Sequence, residues 1–269
     1  MLMILLYRAA AALLVLALLP SAARAQEQDV DLELVLAVDV SRSMDATEQA
    51  LQRDGYVAAL QHPEVLAAIR AGMLGKIAVT YVEWAGDGSQ DVIAPWSLIQ
   101  DAQTAQMFAS QISDAQPSRI MLTSISGALT FASGLFDGNG FSSTRHVIDV
   151  SGDGPNNSGS PVLPARQAVI EQGVTINGLP IMIHEDRFSG YSIRELDLYY
   201  EDCVIGGPGA FLVTVDSIER IAEAIRRKLV LEIAGVPARI IPAQFAEPRP
   251  KMDCLIGEKL WQRRMERYR

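Results

Sequence analysis

The sequence is poor in the side chains that usually bind transition metals or nucleic acid. Its 269 residues include two cysteines and three histidines, and His62, His146 and His184 are scattered along the chain. Two cysteines without histidines at ligand spacing do not make a zinc site. The formal net charge is -9, so the composition gives no general reason to expect nucleic acid as a partner.

Motifs of several common enzyme classes are missing as well. The chain contains no Gly-x-Ser-x-Gly elbow, no Walker A loop and no His-Glu-x-x-His motif. Each of these motifs positions the reactive groups of its enzyme class, so their absence removes several common routes to catalysis. We therefore expect a protein that is not an enzyme.

An apolar run near the N-terminus is too short to cross a membrane. Residues 9–19 form an unbroken run of about 11, whereas a spanning helix needs roughly 20. Arg8 precedes the run and Ala23-Arg24-Ala25 follows it, which is the pattern of a secretory signal peptide. Cleavage near Ala25-Gln26 would remove residues 1–25 and leave a periplasmic or secreted chain without a transmembrane anchor. A membrane anchor is the alternative interpretation of the same run.

Export changes the interpretation of the two cysteines, because an oxidising compartment permits disulfides. Cys203 and Cys254 are then expected to form a bridge, and two free buried thiols are the alternative. For a closed loop of this size the chain-entropy argument gives roughly 4 kcal/mol of stabilisation. The bridge would tie a C-terminal tail, residues 236–269, to the domain. We expect its basic end, residues 261–269, to be solvated, with an acidic partner or a membrane surface as the alternative.

The sequence predicts one α/β domain at residues 26–235, in which β-prone runs alternate with helical patterns. The predicted strands are 32–38, 76–84, 92–98, 145–150, 174–183 and 211–215. The turn Gly86-Asp87-Gly88 joins two of them as a hairpin, so one strand runs antiparallel to the rest. The alternation predicts a doubly wound, mostly parallel sheet with one antiparallel edge strand and helices on both faces.

Two Asp-x-x-Glu patterns predict capped helix starts. Asp45 and Glu48 open a helix that extends to about Gln61, and Asp216 and Glu219 open the last predicted helix. Further helices are predicted at 102–113, 125–136, 164–172 and 193–202.

Oxygen-bearing side chains stand at the ends of several predicted elements. Asp39, Ser41 and Ser43 alternate in the loop that leaves the first predicted strand. Thr123 precedes a predicted helix, and Asp153 follows a later predicted strand. Ligands of such sheets bind outside the carboxyl ends of the strands, so these side chains are expected at one site. Hard cations such as Mg²⁺ prefer oxygen ligands, whereas N-cap and turn chemistry would explain each residue singly.

Three segments resemble the metal-ion-dependent adhesion site of von Willebrand factor A domains and integrin I domains. Asp39-Val40-Ser41-Arg42-Ser43 resembles their Asp-x-Ser-x-Ser loop. Thr123-Ser124-Ile125-Ser126-Gly127-Ala128-Leu129 resembles the segment of their metal-binding threonine, and Gly152-Asp153-Gly154 is similar to their later Asp-Gly turn. The resemblance covers about residues 31–231. It implies that a divalent cation is held by Asp39, Ser41, Ser43, Thr123 and Asp153.

The resemblance also implies how such a site works. The serines and the threonine touch the metal directly or through water, the aspartates hold it largely through water, and an acidic residue of a partner takes the open position. We expect Mg²⁺, with Mn²⁺ or Ca²⁺ as alternatives. The expected partner is a protein that presents an Asp or Glu.

Two segments, Gly152-Asp153-Gly154-Pro155-Asn156-Asn157 and residues 202–211, are similar to a bacterial family of exported A-like proteins with no assigned function. One departure from the A domains concerns Gly152, where many of them have a threonine. The supporting hydroxyl is then either missing or supplied by Ser151. Asp149 is a second candidate for supporting the ligands, with a structural hydrogen bond or a pair with Arg145 as the alternatives.

Two other functions stay open from the sequence. A metal-dependent phosphohydrolase would use Asp39 as its nucleophile, although Ser41 stands where haloacid dehalogenase-like phosphatases have a second aspartate. A structural domain with an empty site would show no change in melting temperature on addition of Mg²⁺ or Mn²⁺.

Overall fold

The computed structural model describes residues 27–114, 121–183, 192–235 and 249–267. The predicted signal peptide, residues 1–25, lies outside these ranges. No helix within them is both long and apolar enough to span a bilayer. The first described strand, β1 (Gln28–Asp29), pairs in parallel with β5 (Phe141–Ser142) as a small separate sheet.

A five-stranded sheet forms the centre of the fold. Its strands lie in the spatial order β4 (Gln90–Ile99), β3 (Ile77–Trp84), β2 (Glu33–Asp39), β6 (His146–Gly152) and β7 (Thr175–Pro180). β4 is antiparallel to β3, and the other neighbours are parallel. Every residue of β2 is buried, as expected for a central strand covered on both faces. The predicted fold class is confirmed, including the antiparallel edge strand.

Helices cover both faces of the sheet. On one side, termed the α1 face, lie α1 (Ala46–Leu60), α2 (Pro63–Arg70), α3 (Ala102–Ser113) and α7 (Ile221–Ala234). On the other side, termed the α4 face, lie α4 (Ile125–Gly134), α5 (Val162–Glu171), α6 (Leu196–Tyr199) and a π-helical turn (Tyr200–Val204). Each layer buries its own apolar cluster against the strands, which is the arrangement of a doubly wound α/β domain.

Strand alternation decides which layer a side chain of β2 meets. Leu36 and Val38 pack on the α1 face, whereas Val35 and Ala37 pack on the α4 face. Successive side chains of a strand point to opposite sides, so Asp39 at the end of β2 belongs to the α4 face.

The predicted capping box at the start of α1 is confirmed. The Asp45 side chain accepts the Glu48 N–H at 2.9 Å, and the Glu48 side chain accepts the Asp45 N–H at 2.8 Å. The second predicted capping pattern is wrong. Asp216 forms an exposed ion pair with Arg220 instead, and α7 begins after a 3₁₀ turn (Ile218–Arg220) that has no side-chain cap. Helix α2 was not predicted, although Pro63 at its first turn is a start signal.

The last predicted strand, residues 211–215, is confirmed only in part, because the segment runs parallel to β7 but does not form a continuous strand. This segment makes only isolated bridges to β7 and its continuation, between Gly178 and Leu212 and between Ile181 and Val215. Pro180 lies between the two bridges and has no N–H to donate, so a continuous ladder cannot form there.

The C-terminal segment folds back onto the α4 face, where Met252, Cys254 and Ile256 pack against the apolar cluster. Its basic end is helical, and residues 261–267 are mostly exposed, as expected from the composition. Cys203 and Cys254 form the predicted disulfide, which excludes the alternative of two free thiols. Beyond the bridge, α8 (Ile256–Arg267) begins with Gly257 buried against the domain. The covalent tie holds the start of the helix in contact with the domain, whereas the basic residues that follow remain largely exposed.

Candidate metal-binding site

Three loops meet at the carboxyl edge of the sheet. The first loop, residues 39–43, follows β2, which lies at the point where the strand order reverses between β3 and β6. The second loop, residues 122–126, leads into α4, and the third loop, residues 152–157, follows β6. Such a point is where doubly wound sheets bind their ligands.

The first loop turns back onto its own first side chain. The Ser41 N–H donates to Asp39 Oδ1 at 2.6 Å, and the Ser41 and Ser43 hydroxyl oxygens are 2.8 Å apart. Asp39 and Ser41 are buried, whereas Ser43 is partly exposed. The turn therefore places one carboxylate and two hydroxyl groups side by side.

Two buried glutamines of α1 fix the backbone of the first loop. Gln49 Nε2 donates to the carbonyl oxygens of Val40 and Ser41 at 2.9 and 3.2 Å. Gln52 Nε2 donates to the Asp39 carbonyl at 3.0 Å. Sequence reasoning missed both residues. They could have been found from their spacing, because Gln49 and Gln52 are three residues apart on a helix that begins directly after the loop. This spacing places both side-chain amides on one side of the helix.

The third loop supplies a second carboxylate. Ser43 Oγ donates to Asp153 Oδ1 at 2.7 Å. Burial raises the pKa of Asp39 well above its usual value, and the negative charge of Asp153 raises it further. Two carboxyl groups placed in this way are both ionised at little cost only if a cation joins them.

The third loop also holds the second loop in place. The Thr123 N–H donates to Asn157 Oδ1 at 2.9 Å, and the Asn157 N–H donates to the Thr123 carbonyl at 2.9 Å. The Ser126 N–H donates to Asn156 Oδ1 at 3.0 Å. Leu122 has a φ of 74°, which is costly for a bulky residue, so the backbone is strained directly before Thr123.

All five predicted ligands lie where the loops meet. Hydrogen bonds connect Asp39, Ser41, Ser43 and Asp153. Thr123 lines the same cavity of about 380 Å³ as Ser41 and Ser43. Within the described ranges, no three His, Cys, Asp or Glu side chains are grouped so that they could hold a metal. Hydroxyl groups would therefore have to complete any ligand set here.

The two candidates for supporting the ligands, Asp149 and Ser151, lie on the α1 face, away from the Asp39 side chain. Asp149 Oδ1 is 2.5 Å from the ammonium nitrogen of Lys228 on α7. The alternative of a pair between Asp149 and Arg145 is wrong, because the Arg145 guanidinium donates to carbonyl oxygens in the last turn of α7. Asp149 thus has a structural role, as the alternative of a structural hydrogen bond implied, but its partner is the Lys228 ammonium, which the sequence analysis did not name.

A tyrosine that the sequence did not single out lies beside the first carboxylate. A Cβ on Gly152 would lie 2.9 Å from both Asp39 Oδ2 and the Tyr200 hydroxyl oxygen. Both atoms are buried, and neither has a hydrogen-bond partner among the described residues. Tyr200 therefore reaches the space beside Gly152, the position at which many A domains have a threonine. No local motif marks this tyrosine, because the contact depends on how the π-helical turn packs.

Comparisons with known proteins agree with the fold. A family model described as Protein of unknown function (DUF1194) matches residues 29–237. No curated protein matches the chain.

Several solved structures share the fold at low sequence identity. Proximal thread matrix protein 1 (PTMP1) from the mussel byssus is 16% identical, with a TM-score of 0.57 over 78% of this chain and 50% of that chain. The pilus adhesin SpaC from Lactobacillus rhamnosus GG is 15% identical, with a TM-score of 0.52 over 77% of this chain and 31% of that one. A von Willebrand factor type A structure from Catenulispora acidiphila is 14% identical, with a TM-score of 0.52 over 76% and 43%. The chain spans half or less of these proteins, and the likeness shows a von Willebrand factor A-like fold.

Proposed function

We propose that this chain, which belongs to the family of the matching model, Protein of unknown function (DUF1194), is a binding module. In this proposal it binds an acidic protein partner through a divalent cation. The buried Asp39 carboxylate carries the proposal. Its Oδ2 has no hydrogen-bond partner in the described part of the chain, and Asp153 stands nearby. An unpartnered buried carboxylate oxygen costs free energy, and a cation at the loops would recover it.

The donor atoms fit such a cation. Asp39 and Asp153 offer carboxylate oxygens, and Ser41, Ser43 and Thr123 offer hydroxyl oxygens, all from the three loops that meet at one cavity. When bound, the cation supplies an electrophilic centre for a carboxylate of the partner. Gln49 and Gln52 hold the first loop, so the hydroxyls are positioned before the cation arrives.

Mg²⁺ is the cation that we propose, with Mn²⁺ or Ca²⁺ as possible substitutes, because the donors are hard oxygen atoms. One structure of the mussel protein PTMP1 is described as having a zinc-occupied MIDAS motif. The five donors here include no histidine or cysteine, which are the usual zinc ligands.

Tyr200 completes the site in this proposal. Its hydroxyl lies beside the unpartnered oxygen of Asp39, in the space left open by Gly152. From there it can donate to Asp39 or to a water bound by the cation. It thus takes the supporting role for which Asp149 and Ser151 were candidates.

Binding fits this chain better than catalysis. A phosphohydrolase would need Asp39 to reach a phosphorus atom, but its side chain is fully buried beneath the serines. We also propose that the protein acts after export, in the periplasm or outside the cell. The disulfide supports this compartment, because such bonds persist in oxidising surroundings.

A metal titration tests the proposal. Mg²⁺ at about 100 times its Kd should raise the free energy of unfolding by about 2.7 kcal/mol, because the cation binds only the folded loops. Asp39→Asn should abolish this gain, whereas Asp54→Asn, an exposed site on α1, should keep it. A wild-type protein with equal stability in Mg²⁺ and in chelator would contradict the proposal.

A further inference from the structure

The C-terminal helix α8 is fastened to the rim of the candidate metal site. The disulfide ties Cys254 to Cys203, and the Asp202 carboxylate accepts the Met252 N–H at 2.8 Å and the Arg249 guanidinium at 2.7 Å. These contacts fix the chain immediately before α8. The helix is therefore held by the domain through more than one kind of contact.

The first turn of α8 packs directly on the third loop. Asn156 Nδ2 donates to Glu258 Oε1 at 2.8 Å. Gly257 approaches so closely that a Cβ there would lie 2.0 Å from the Asn156 carbonyl oxygen. Only glycine permits this approach. Asn156 also accepts a hydrogen bond from the second loop. It therefore contacts both α8 and the three loops of the candidate site, residues 39–43, 122–126 and 152–157, which we term the metal loops.

Two side chains of α8 reach the cavity as a result. Trp261 and Arg264 are one turn apart on the helix and line the same cavity as Ser43 and Thr123. Residues of the three loops form one wall of this cavity, and α8 contributes a second wall.

The charged residues that line the cavity in the described part of the chain are basic, whereas the carboxylates of Asp39 and Asp153 contact Ser41 and Ser43 next to it. The chain carries a formal net charge of -9. The described residues that line the cavity include Arg42 and Arg264 and no acidic residue. Trp261, Met121 and Leu122 add apolar surface next to these cations. Such a lining favours an anionic ligand with an apolar neighbour.

We propose that α8 selects the partner, with Arg264 contacting the partner's acidic segment and Trp261 packing on an apolar side chain next to the acidic residue. This inference rests on the proposed function, because the metal loops are to hold the acidic residue itself. The ligand class is an acidic peptide segment in which an aromatic or aliphatic residue is adjacent to Asp or Glu.

The experiment measures binding of a fluorescein-labelled peptide, Gly-Ser-Phe-Asp-Gly-Ser, to the full-length protein in Mg²⁺. A peptide with Asn for Asp should not bind. Arg264→Ala should weaken binding about tenfold, because a charge-assisted contact is lost. Arg263→Ala removes the same charge from an exposed neighbouring position of α8 and should change binding less than about twofold.

Trp261 is tested by changing protein and peptide together. Trp261→Ala should weaken the Phe peptide about fivefold and leave a peptide with Ala for Phe unchanged. Gly257→Ala should displace α8 and weaken the Phe peptide at least as much as Arg264→Ala does. In all these variants Mg²⁺ should still raise the free energy of unfolding. This result would show that α8 contributes to peptide binding without being needed for Mg²⁺ binding by the metal loops.

The proposal is overturned if Arg264→Ala and Arg263→Ala have equal effects, or if the wild type does not bind the peptide while Mg²⁺ still stabilises it. Tighter binding by Trp261→Ala or Gly257→Ala would also overturn it, since α8 would then cover the site. Loss of the Mg²⁺ response in the wild type is a different result, which contradicts the proposed metal function itself.

Discussion

Two pairs of carboxyl groups lie at the central sheet, and Asp39, Asp149 and Glu232 are buried whereas Asp153 is half-buried. The pairs differ in the positive charge beside them. On the α1 face, Asp149 and Glu232 share the ammonium group of Lys228, which is 2.5 Å from an oxygen of each. At the carboxyl edge, Asp39 lies near Asp153, and its Oδ2 has no partner among the described residues. The first pair has an ammonium group of the protein between its carboxyl groups, whereas for the second pair we propose a cation from solution.

The comparison shows why burial alone does not identify a binding site. Asn177 Nδ2 donates to Glu232 Oε1 at 2.9 Å, and the Lys228 ammonium lies 5.7 Å from the centre of the Phe211 ring. Asp149 and Lys228 are fully buried, although Glu232 and Asn177 also line a second cavity of about 370 Å³. Because the Lys228 ammonium already lies between the two carboxyl groups, we assign this α1-face cluster to stability. The carboxyl-edge cluster opens into a cavity through Ser41 and Ser43, so it can serve binding.

Removing the internal cation should give the largest effect. Lys228→Met leaves Asp149 and Glu232 buried without their partner, and we expect a loss of about 3–5 kcal/mol in the free energy of unfolding. Urea denaturation in chelator measures it. Arg227→Ala, at an exposed neighbouring position of α7, should cost no more than about 0.5 kcal/mol. If the Lys228→Met protein were as stable as the Arg227→Ala protein, the α1-face cluster would not depend on Lys228, and the proposed difference between the two clusters would be contradicted.

The same cluster should make stability depend on pH. Burial, then the nearby Asp149, raises the pKa of Glu232 to about 7, even though Lys228 opposes the shift. The folded state therefore binds the proton more tightly than the unfolded state. This contribution is complete below the unfolded pKa and is lost as the pH rises through about 7. Between pH 4.5 and 8 it amounts to roughly 3 kcal/mol.

Urea unfolding of the wild type and of Glu232→Gln across this pH range isolates the contribution. The wild type should lose more stability with rising pH than the variant does. Parallel curves for the two proteins would show that Glu232 does not titrate differently in the folded state.

At the carboxyl edge, neutralising a carboxylate should have the opposite sign. In chelator, Asp39→Asn removes the repulsion with Asp153 and the cost of burying a charge. We expect the free energy of unfolding to stay the same or to rise by up to about 1 kcal/mol. Calorimetric unfolding in chelator at neutral pH measures it. A large destabilisation would mean that Asp39 is needed for the fold itself.

The smallest change concerns the hydroxyl beside Asp39. Tyr200→Phe should weaken Mg²⁺ binding about fivefold, because the variant cannot make the hydrogen bond that we propose from the tyrosine to Asp39 or to a water bound by the cation. Tyr199→Phe is the matched control, since its hydroxyl accepts the Asn156 N–H at 3.2 Å and supports the loops from another side. Calorimetric titration with Mg²⁺ gives both affinities. Equal losses in the two variants would remove the special role of Tyr200.

Local patterns were enough to predict the fold and the three loops. Buried strands that end in Asp39 or lead to Asp153 are visible in the sequence, and so is the capping box that opens α1. The predicted ligands meet in space because the ends of parallel strands lie at one edge of a sheet.

Contacts between distant segments could not be predicted in this way. Lys228 and Glu232 lie on the buried side of α7 with Ile221 and Ile225, and nothing local names Asp149 as their partner. The position of α8 depends on a disulfide together with a single glycine, Gly257. Such features follow from packing between distant segments. The sequence therefore did not predict that Lys228 pairs with the two buried carboxyl groups, or that α8 lines the cavity.

The central claim is that the carboxyl-edge pair takes its cation from solution at the three loops. Anomalous diffraction from crystals of the protein grown with Mn²⁺ tests it most directly, because it locates the cation without reference to activity. The account predicts one strong peak within contact of the Ser41 and Ser43 hydroxyl groups and between Asp39 and Asp153, and no peak in Asp39→Asn crystals. A wild-type crystal without a peak at the loops, or with its peak elsewhere on the surface, would contradict the account.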